Sequence, residues 1–272
     1  MNSRRVKPTP KDVGKFYDEK GGALAELMGG NIHYGYFTGP DDDTPFPQAA
    51  DRLTDHVIEK LEGKPGQRVL DLGCGRGGPA IRLARAVDME IVGVSISNGD
   101  VVAAAELAQA NGLADRVTFQ QADAMALPFA AESFDAVLAL ESIFHMPDRL
   151  AVLRNIAAVL KPSGRLVLTD VFGDPPDTDD GKAALDRIFD AWSITSLADI
   201  ADYPRLLAAA GLRCVDVMDV SDRTKYSLGK FLRLMRGEEP VGAVSAPMDS
   251  WNTSFGGLLS MGYLVLVAEL ES

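Results

Sequence analysis

The stretch Val69-Leu70-Asp71-Leu72-Gly73-Cys74-Gly75-Arg76-Gly77-Gly78 decides the reading of this chain. Its apolar start predicts a short buried strand, and the glycines behind it predict a sharp turn into a helix. Glycine lets a backbone turn tightly and approach a ligand closely. The helix that follows presents free N–H groups at its start. Strand, glycine turn and helix are how α/β folds build a nucleotide site at the carboxyl end of the first strand. Gly73, Gly75 and Gly78 satisfy the spacing G-x-G-x-x-G, which alone does not separate one nucleotide-containing ligand from another.

Three neighbouring features do separate them. Asp71 stands at the strand end, where a carboxylate repels a pyrophosphate but suits a ligand carrying a sulfonium and an ammonium. The second strand runs into Gly93-Val94-Ser95-Ile96-Ser97, without the acid that a dinucleotide fold sets on the ribose. Gln121-Ala122-Asp123-Ala124 follows the third strand, where an acid accepts the adenine amino proton and the next backbone N–H meets the ring. Together they predict S-adenosylmethionine rather than a nicotinamide dinucleotide.

Outward from this turn the pattern repeats as strand, turn and helix. Strands are expected at 69–72, 90–94, 117–120, 134–140 and 165–169, with helices through Arg85 and at 100–111 and 150–160. Alternating strands and helices imply parallel strands joined by right-handed crossovers. The rhythm breaks at the Pro- and Asp-rich segment 173–180. Beyond it, helices are expected at 183–191 and 203–210, a strand at 214–220, a helix at 227–236, a loop at 237–247 and a last strand at 262–270. The two late strands suit an antiparallel pair at the sheet edge. Before the core, helices are expected at 12–28 and 48–61, joined through the aromatic segment Asn31-Ile32-His33-Tyr34-Gly35-Tyr36-Phe37.

The expected architecture is therefore a single α/β domain with a seven-stranded, mostly parallel sheet and an antiparallel edge strand. Residues 1–50 read as an N-terminal helical cover, 51–171 as the donor-binding core, 172–226 as a helical lid and acceptor-binding insertion, and 227–272 as the strand and helix that complete the sheet. The first ten residues read as unstructured.

The chain has 272 residues, 46% of them hydrophobic, enough for a full core. Its net charge of −12 argues against a duplex-binding protein, which needs a cationic face to displace phosphate counterions. Cys74 and Cys214 offer neither metal spacing nor a disulfide framework, and both read as reduced thiols. No metal ligand set is expected. The basic, polar start is followed by no apolar stretch, so no signal peptide and a cytoplasmic protein are expected, and no run reaches the ~18 apolar residues of a membrane span.

Several segments together resemble the antibiotic-tailoring class I S-adenosylmethionine-dependent methyltransferases: Asp71-Leu72-Gly73-Cys74-Gly75, Gly93-Val94-Ser95-Ile96-Ser97, Ala122-Asp123-Ala124-Met125-Ala126-Leu127-Pro128-Phe129 and Leu140-Glu141-Ser142-Ile143-Phe144-His145-Met146-Pro147-Asp148-Arg149. The resemblance implies a Rossmann-like fold. It implies Asp71, Gly73 and Gly75 around the methionine end and sulfonium, Ser95 near the ribose, Asp123 and Ala124 at the adenine, and Leu140 in the same set. It also implies that Tyr17, His33, Tyr34 and Tyr36 fold over the donor.

In such a fold His145 follows the fourth strand near the methyl end and is the expected general base for a hydroxyl acceptor. Of the other two histidines, His56 is expected at the surface. Asp170, at the end of the fifth strand, is expected to orient that histidine or contact the acceptor. One member of the family carries two adjacent histidines at this motif, the first of them its expected base, whereas here that position is Phe144, so the base role shifts to His145 or disappears. That difference keeps open C- or N-methylation, or a cyclisation that consumes no donor. The expected acceptor is a small molecule, polyketide, macrolide or ansamycin-like, neither nucleic acid nor membrane, and the oligomeric state stays open. Phe189, Trp192, Ile194, Leu197, Trp251 and Phe255 are expected to make an apolar acceptor crevice.

Overall fold

Val69 and Leu70 are adjacent, wholly buried, and belong to two different hydrophobic cores. Successive side chains of a strand point to opposite faces, so this strand is covered on both sides, as strands of a parallel sheet are. The computed structural model describes residues 5–174, 176–235 and 261–271. Its elements run α1 (Pro10–Met28), α2 (Phe46–Leu61), β1 (Arg68–Leu72), α3 (Gly78–Ala86), β2 (Glu90–Ser95), α4 (Asn98–Ala110), β3 (Val117–Gln121), β4 (Phe134–Ala139), α5 (Arg149–Val159), β5 (Leu160–Phe172), α6 (Asp179–Trp192), α7 (Tyr203–Ala209), β6 (Leu212–Asp219), α8 (Ser221–Thr224), α9 (Tyr226–Met235) and β7 (Gly262–Leu270).

The seven strands lie in the order β3-β2-β1-β4-β5-β7-β6. β1 to β5 pair parallel, and β7 runs antiparallel to both β5 and β6. The reversed strand thus sits second from the edge, and β6 takes the edge. Leu53, Val57, Ile81, Leu83 and Ala108 from α2, α3 and α4 cover one face of the sheet. Val152, Leu153, Ile156, Tyr203 and Leu207 from α5 and α7 cover the other.

Two sequence boundaries shift. Arg5 is held rather than free, although Val6, Lys7 and Thr9 are exposed: it lies 5.0 Å over the Phe189 ring and donates to Asp190 Oδ1 (2.6 Å) and to the Ile194 carbonyl (2.6 Å). Thr9 then caps α1 through a reciprocal capping box with Asp12. In the segment 172–226, α7 and β6 belong to the sheet and its helical layer, because Tyr203, Leu207 and Leu212 are buried in the core beneath it. Only α6 and the loop behind it depart from the alternation. The expected loop 237–247, with Trp251 and Phe255, lies outside the described residues. No helix among the described residues is long and apolar enough to cross a membrane.

Candidate active site

At the end of β1 the chain turns through Gly73, whose φ is +79°. A Cβ there would stand 2.3 Å from the Ser142 Cβ, so only glycine fits. The Gly73 and Cys74 N–H groups donate to the Val94 carbonyl at 2.8 and 3.0 Å, and the Ser142 hydroxyl donates to the Leu72 carbonyl at 2.6 Å. The ends of β1, β2 and β4 are thereby locked together. Above them opens a cleft of about 1020 Å³, roofed by α1. Its wall brings together Tyr17, Asp71, Gly73, Gly75, Ser95, Asp123, Ala124, Leu140 and His145.

Asp71 is buried, and its Oδ2 has no hydrogen-bond partner. Burial pushes its carboxyl up to about 7. Sequence reasoning passed over a second acid of the same kind, Asp100, on the same wall. Its Oδ1 also lacks a partner, and burial raises it to about 6 although Arg76 stands 3.7 Å away. Asp100 follows the α4 cap residue Ser97 by three positions and bonds it through its backbone N–H, so in sequence it reads as an ordinary first-turn acid. Buried polar atoms nearly always have partners. Two orphaned carboxylate oxygens in one cleft fit a ligand that brings a positive charge and hydroxyl donors. Asp123 is half-buried and accepts from the Met125 N–H at 2.8 Å.

His145 closes the short helical turn Ile143–His145 behind β4. Its Nδ1 lies 3.0 Å from the Ser193 carbonyl and its Nε2 lies 2.8 Å from the Tyr17 hydroxyl. A carbonyl only accepts, so Nδ1 carries the proton and Nε2 offers a lone pair to the phenol. Burial lowers the imidazole to about 4 despite the Ser193 bond, and burial raises the Tyr17 phenol. Both groups are neutral at pH 7. His33 also lines the cleft, but Tyr34 O and Thr54 Oγ1 occupy its two ring nitrogens at 2.8 and 3.0 Å.

Other expected residues lie elsewhere. Asp170 is fully buried but faces the α5–α7 layer, where Arg149 Nε (2.7 Å) and the Tyr203 hydroxyl (2.6 Å) donate to its Oδ2. Strand alternation explains this: the preceding residue, Thr169, meets Tyr263 and Glu141 instead. Tyr34 is off the cleft wall, its ring stacked on Tyr263 at 5.3 Å. His56 is half-buried and stacked on Tyr36 at 5.2 Å rather than free at the surface. Phe144, Phe189 and Ile194 are core residues, Leu197 packs against that core, and Trp192 packs 5.5 Å from Phe231. None of these apolar side chains lines the cleft, because α6 spends its apolar face on the core. Glu141, quoted only within a motif, does line it.

Among the described residues no group of three or more His, Cys, Asp or Glu is placed to hold a metal ion.

Residues 69–164 match a family model described as a methyltransferase domain. The chain is 36% identical to the methyltransferase GfsG of Streptomyces halstedii, over 95% of this chain and 94% of that protein. It is 38% identical to the 27-O-demethylrifamycin SV methyltransferase of Amycolatopsis mediterranei, over 97% and 98%. In solved structures it resembles the [4+2]-cyclase SpnF, at a TM-score of 0.79 and 31% identity over 99% of both chains.

Proposed function

The chain belongs to the class I S-adenosylmethionine-dependent methyltransferases, with O-methyltransferases among its relatives, and from that membership we propose that it methylates a hydroxyl of a bulky natural product. The donor supplies a methyl group on a sulfonium, an electrophile that needs no further activation. Asp71 and the backbone around Gly73 and Gly75 would hold its methionine end. Ser95 and Asp100 would hold the ribose, Asp123 and Ala124 the adenine, and Leu140 the wall between. The unpartnered Oδ2 of Asp71 supports this, since a sealed carboxylate oxygen needs a partner that a cationic ligand brings.

The observation that carries the O-methylation reading is the Nε2 lone pair of His145, directed at the Tyr17 hydroxyl in the cleft. A hydroxyl is a poor nucleophile until its proton leaves, and a positioned base is worth roughly 10²–10⁴ in rate. Ser193 fixes the ring and its tautomer. Tyr17 holds the lone pair until an acceptor hydroxyl takes over the same nitrogen. The protein's remaining task is alignment, which contributes up to about 7–11 kcal/mol in well-oriented systems.

The acceptor class we propose is a polyketide, macrolide or ansamycin-like molecule. 27-O-demethylrifamycin SV is the first compound to try, being named for a relative of this length and identity. The test is incubation with labelled S-adenosylmethionine and hydroxylated polyketides, read by mass spectrometry. A labelled ether with S-adenosylhomocysteine, lost in His145→Ala, supports the reading. Unchanged turnover in His145→Ala at neutral pH ends the general-base role. The likeness to a [4+2]-cyclase motivates a second reading, cyclisation without donor consumption. An isomeric product formed with no S-adenosylhomocysteine would establish that reading instead.

A further inference from the structure

Glu141 is the first residue after the turn-bound end of β4 to leave the ordinary backbone regions, with φ at +47°. A non-glycine residue is strained there and persists where its surroundings over-determine it. Three elements do so here. Its N–H donates to Thr169 Oγ1 on β5 at 2.9 Å. Its Oε1 accepts from the Tyr34 N–H and from the Tyr263 hydroxyl on β7, both at 2.7 Å. Tyr263 Oη also lies 2.9 Å from Thr169 Oγ1, and each hydroxyl has one proton. Tyr263 therefore donates to the carboxylate and Thr169 donates to Tyr263, closing a ring of directed bonds around one carboxylate oxygen.

The other oxygen, Oε2, has no partner among the described residues. It is also absent from the atoms sealed off without a partner, while Glu141 lines the cleft. Its place in the sheet says which ligand it meets. Asp71 and Ser95 stand at the carboxyl ends of β1 and β2, and Asp123 follows β3, three strands that lie on one side of β4 in the strand order. Glu141 and His145 both follow β4 and face the β5 side, beyond the donor-holding acids. The lining side chains are also one-sided in charge: Arg76 is the only Lys or Arg among the described ones, and it stands beside Asp100.

We propose that Glu141 Oε2 is an acceptor-recognition group that accepts a hydrogen bond from a second hydroxyl of the acceptor, distinct from the one that meets His145. The chain then selects neutral, polyhydroxylated acceptors and rejects those that place a carboxylate or phosphate at this position. The proposal rests on the reading of this cleft as the methyl-transfer site.

The test is calorimetry at pH 8.5, above the value of about 7 to which burial raises the Glu141 carboxyl, on the full chain saturated with S-adenosylhomocysteine. The probes are 27-O-demethylrifamycin SV and a derivative whose other aliphatic hydroxyls are masked as methyl ethers. Wild type should bind the parent about tenfold to a hundredfold more tightly than the masked compound, the worth of one bond to a charged group. Glu141→Gln retains an Oε1 for Tyr34 and Tyr263 but turns the cleft-facing acceptor into a donor, and it should abolish that preference. Glu141→Asp, shorter but still charged, should lose most of it. A wild type that does not distinguish the probes overturns the proposal, as does a Glu141→Gln that still does. Weakened S-adenosylhomocysteine binding in Glu141→Gln would place the residue on the donor and overturn it too. Turnover that survives His145→Ala ends the base reading without altering these affinities, so the two ideas fail separately.

Discussion

The Tyr17 hydroxyl and His145 Nε2 are 2.8 Å apart although 128 residues separate them in the chain. The contact joins the roof helix α1 to the turn behind β4, and the rings meet edge-on at 5.4 Å. This hydrogen bond ties the roof to the cleft floor and holds the lone pair that the proposed proton abstraction would use.

Tyr17→Phe keeps the ring contact and removes that bond. Turnover should fall about five- to tenfold, the worth of one neutral hydrogen bond. Because burial sets His145 near 4, kcat in wild type with donor and acceptor both saturating should stay level from pH 6 to 8 and decline only toward pH 4. An inflection near 6.5 would mean that this imidazole is not sealed in the working enzyme.

Asp71 links donor binding to stability. Its carboxyl titrates near 7 when folded and near 3.8 otherwise, so between these values the folded chain holds a proton that the unfolded chain has released. Stability therefore falls as pH rises through that window, and the deficit is complete above it. Asp71→Asn should stabilise the donor-free protein at pH 8 by roughly 2–4 kcal/mol and leave it unchanged at pH 4, read by denaturant titration. The same variant should bind S-adenosylmethionine at least tenfold more weakly, having lost a charge-assisted bond.

Gly73 and Gly75 should respond differently to alanine. At Gly73 a methyl group collides with Ser142 across the β1–β4 junction, whereas beside Gly75 there is open space. Gly73→Ala should lower the melting temperature sharply. Gly75→Ala should cost only the roughly 1–2 kcal/mol of left-handed backbone, while its methyl group would project into the open space proposed for the donor and should weaken donor affinity.

Asp170 should behave as a structural residue. It is wholly buried and pairs with the mostly buried Arg149, and breaking a buried pair from one side costs about 3–5 kcal/mol. Asp170→Asn should therefore lower the unfolding free energy while turnover per folded molecule stays within about twofold of wild type. A large loss in kcat at full folding would return Asp170 to the chemistry.

The β1 turn and the acids at 71 and 123 were legible because their signals are local: an apolar run, glycines, and an acid at a strand tip. Asp170 misled for a reason equally local in appearance. Its place on a strand was evident, but the face it takes follows from register, which pairs Asp170 with Leu264 and leaves the neighbouring Thr169 to Tyr263 and Glu141. The apolar residues of α6 misled likewise, since a hydrophobic face does not say whether a core or a cavity receives it.

From sequence alone come the alternating strands and helices, the parallel sheet, the glycine turn and the adenosyl donor, since each rests on short local signals, or on such signals repeated after successive strands. The closure of α1 over His145, the burial of Asp100 and the ring of bonds around Glu141 exist only in the folded chain. Each is made by partners on different elements of the chain, such as Asp18 on α1 meeting Ser97, 79 residues on, or Tyr263 meeting Glu141, or by loss of water around a charged group. Hydrogen-bond geometry and desolvation belong to the assembled neighbourhood, and a linear pattern does not contain it.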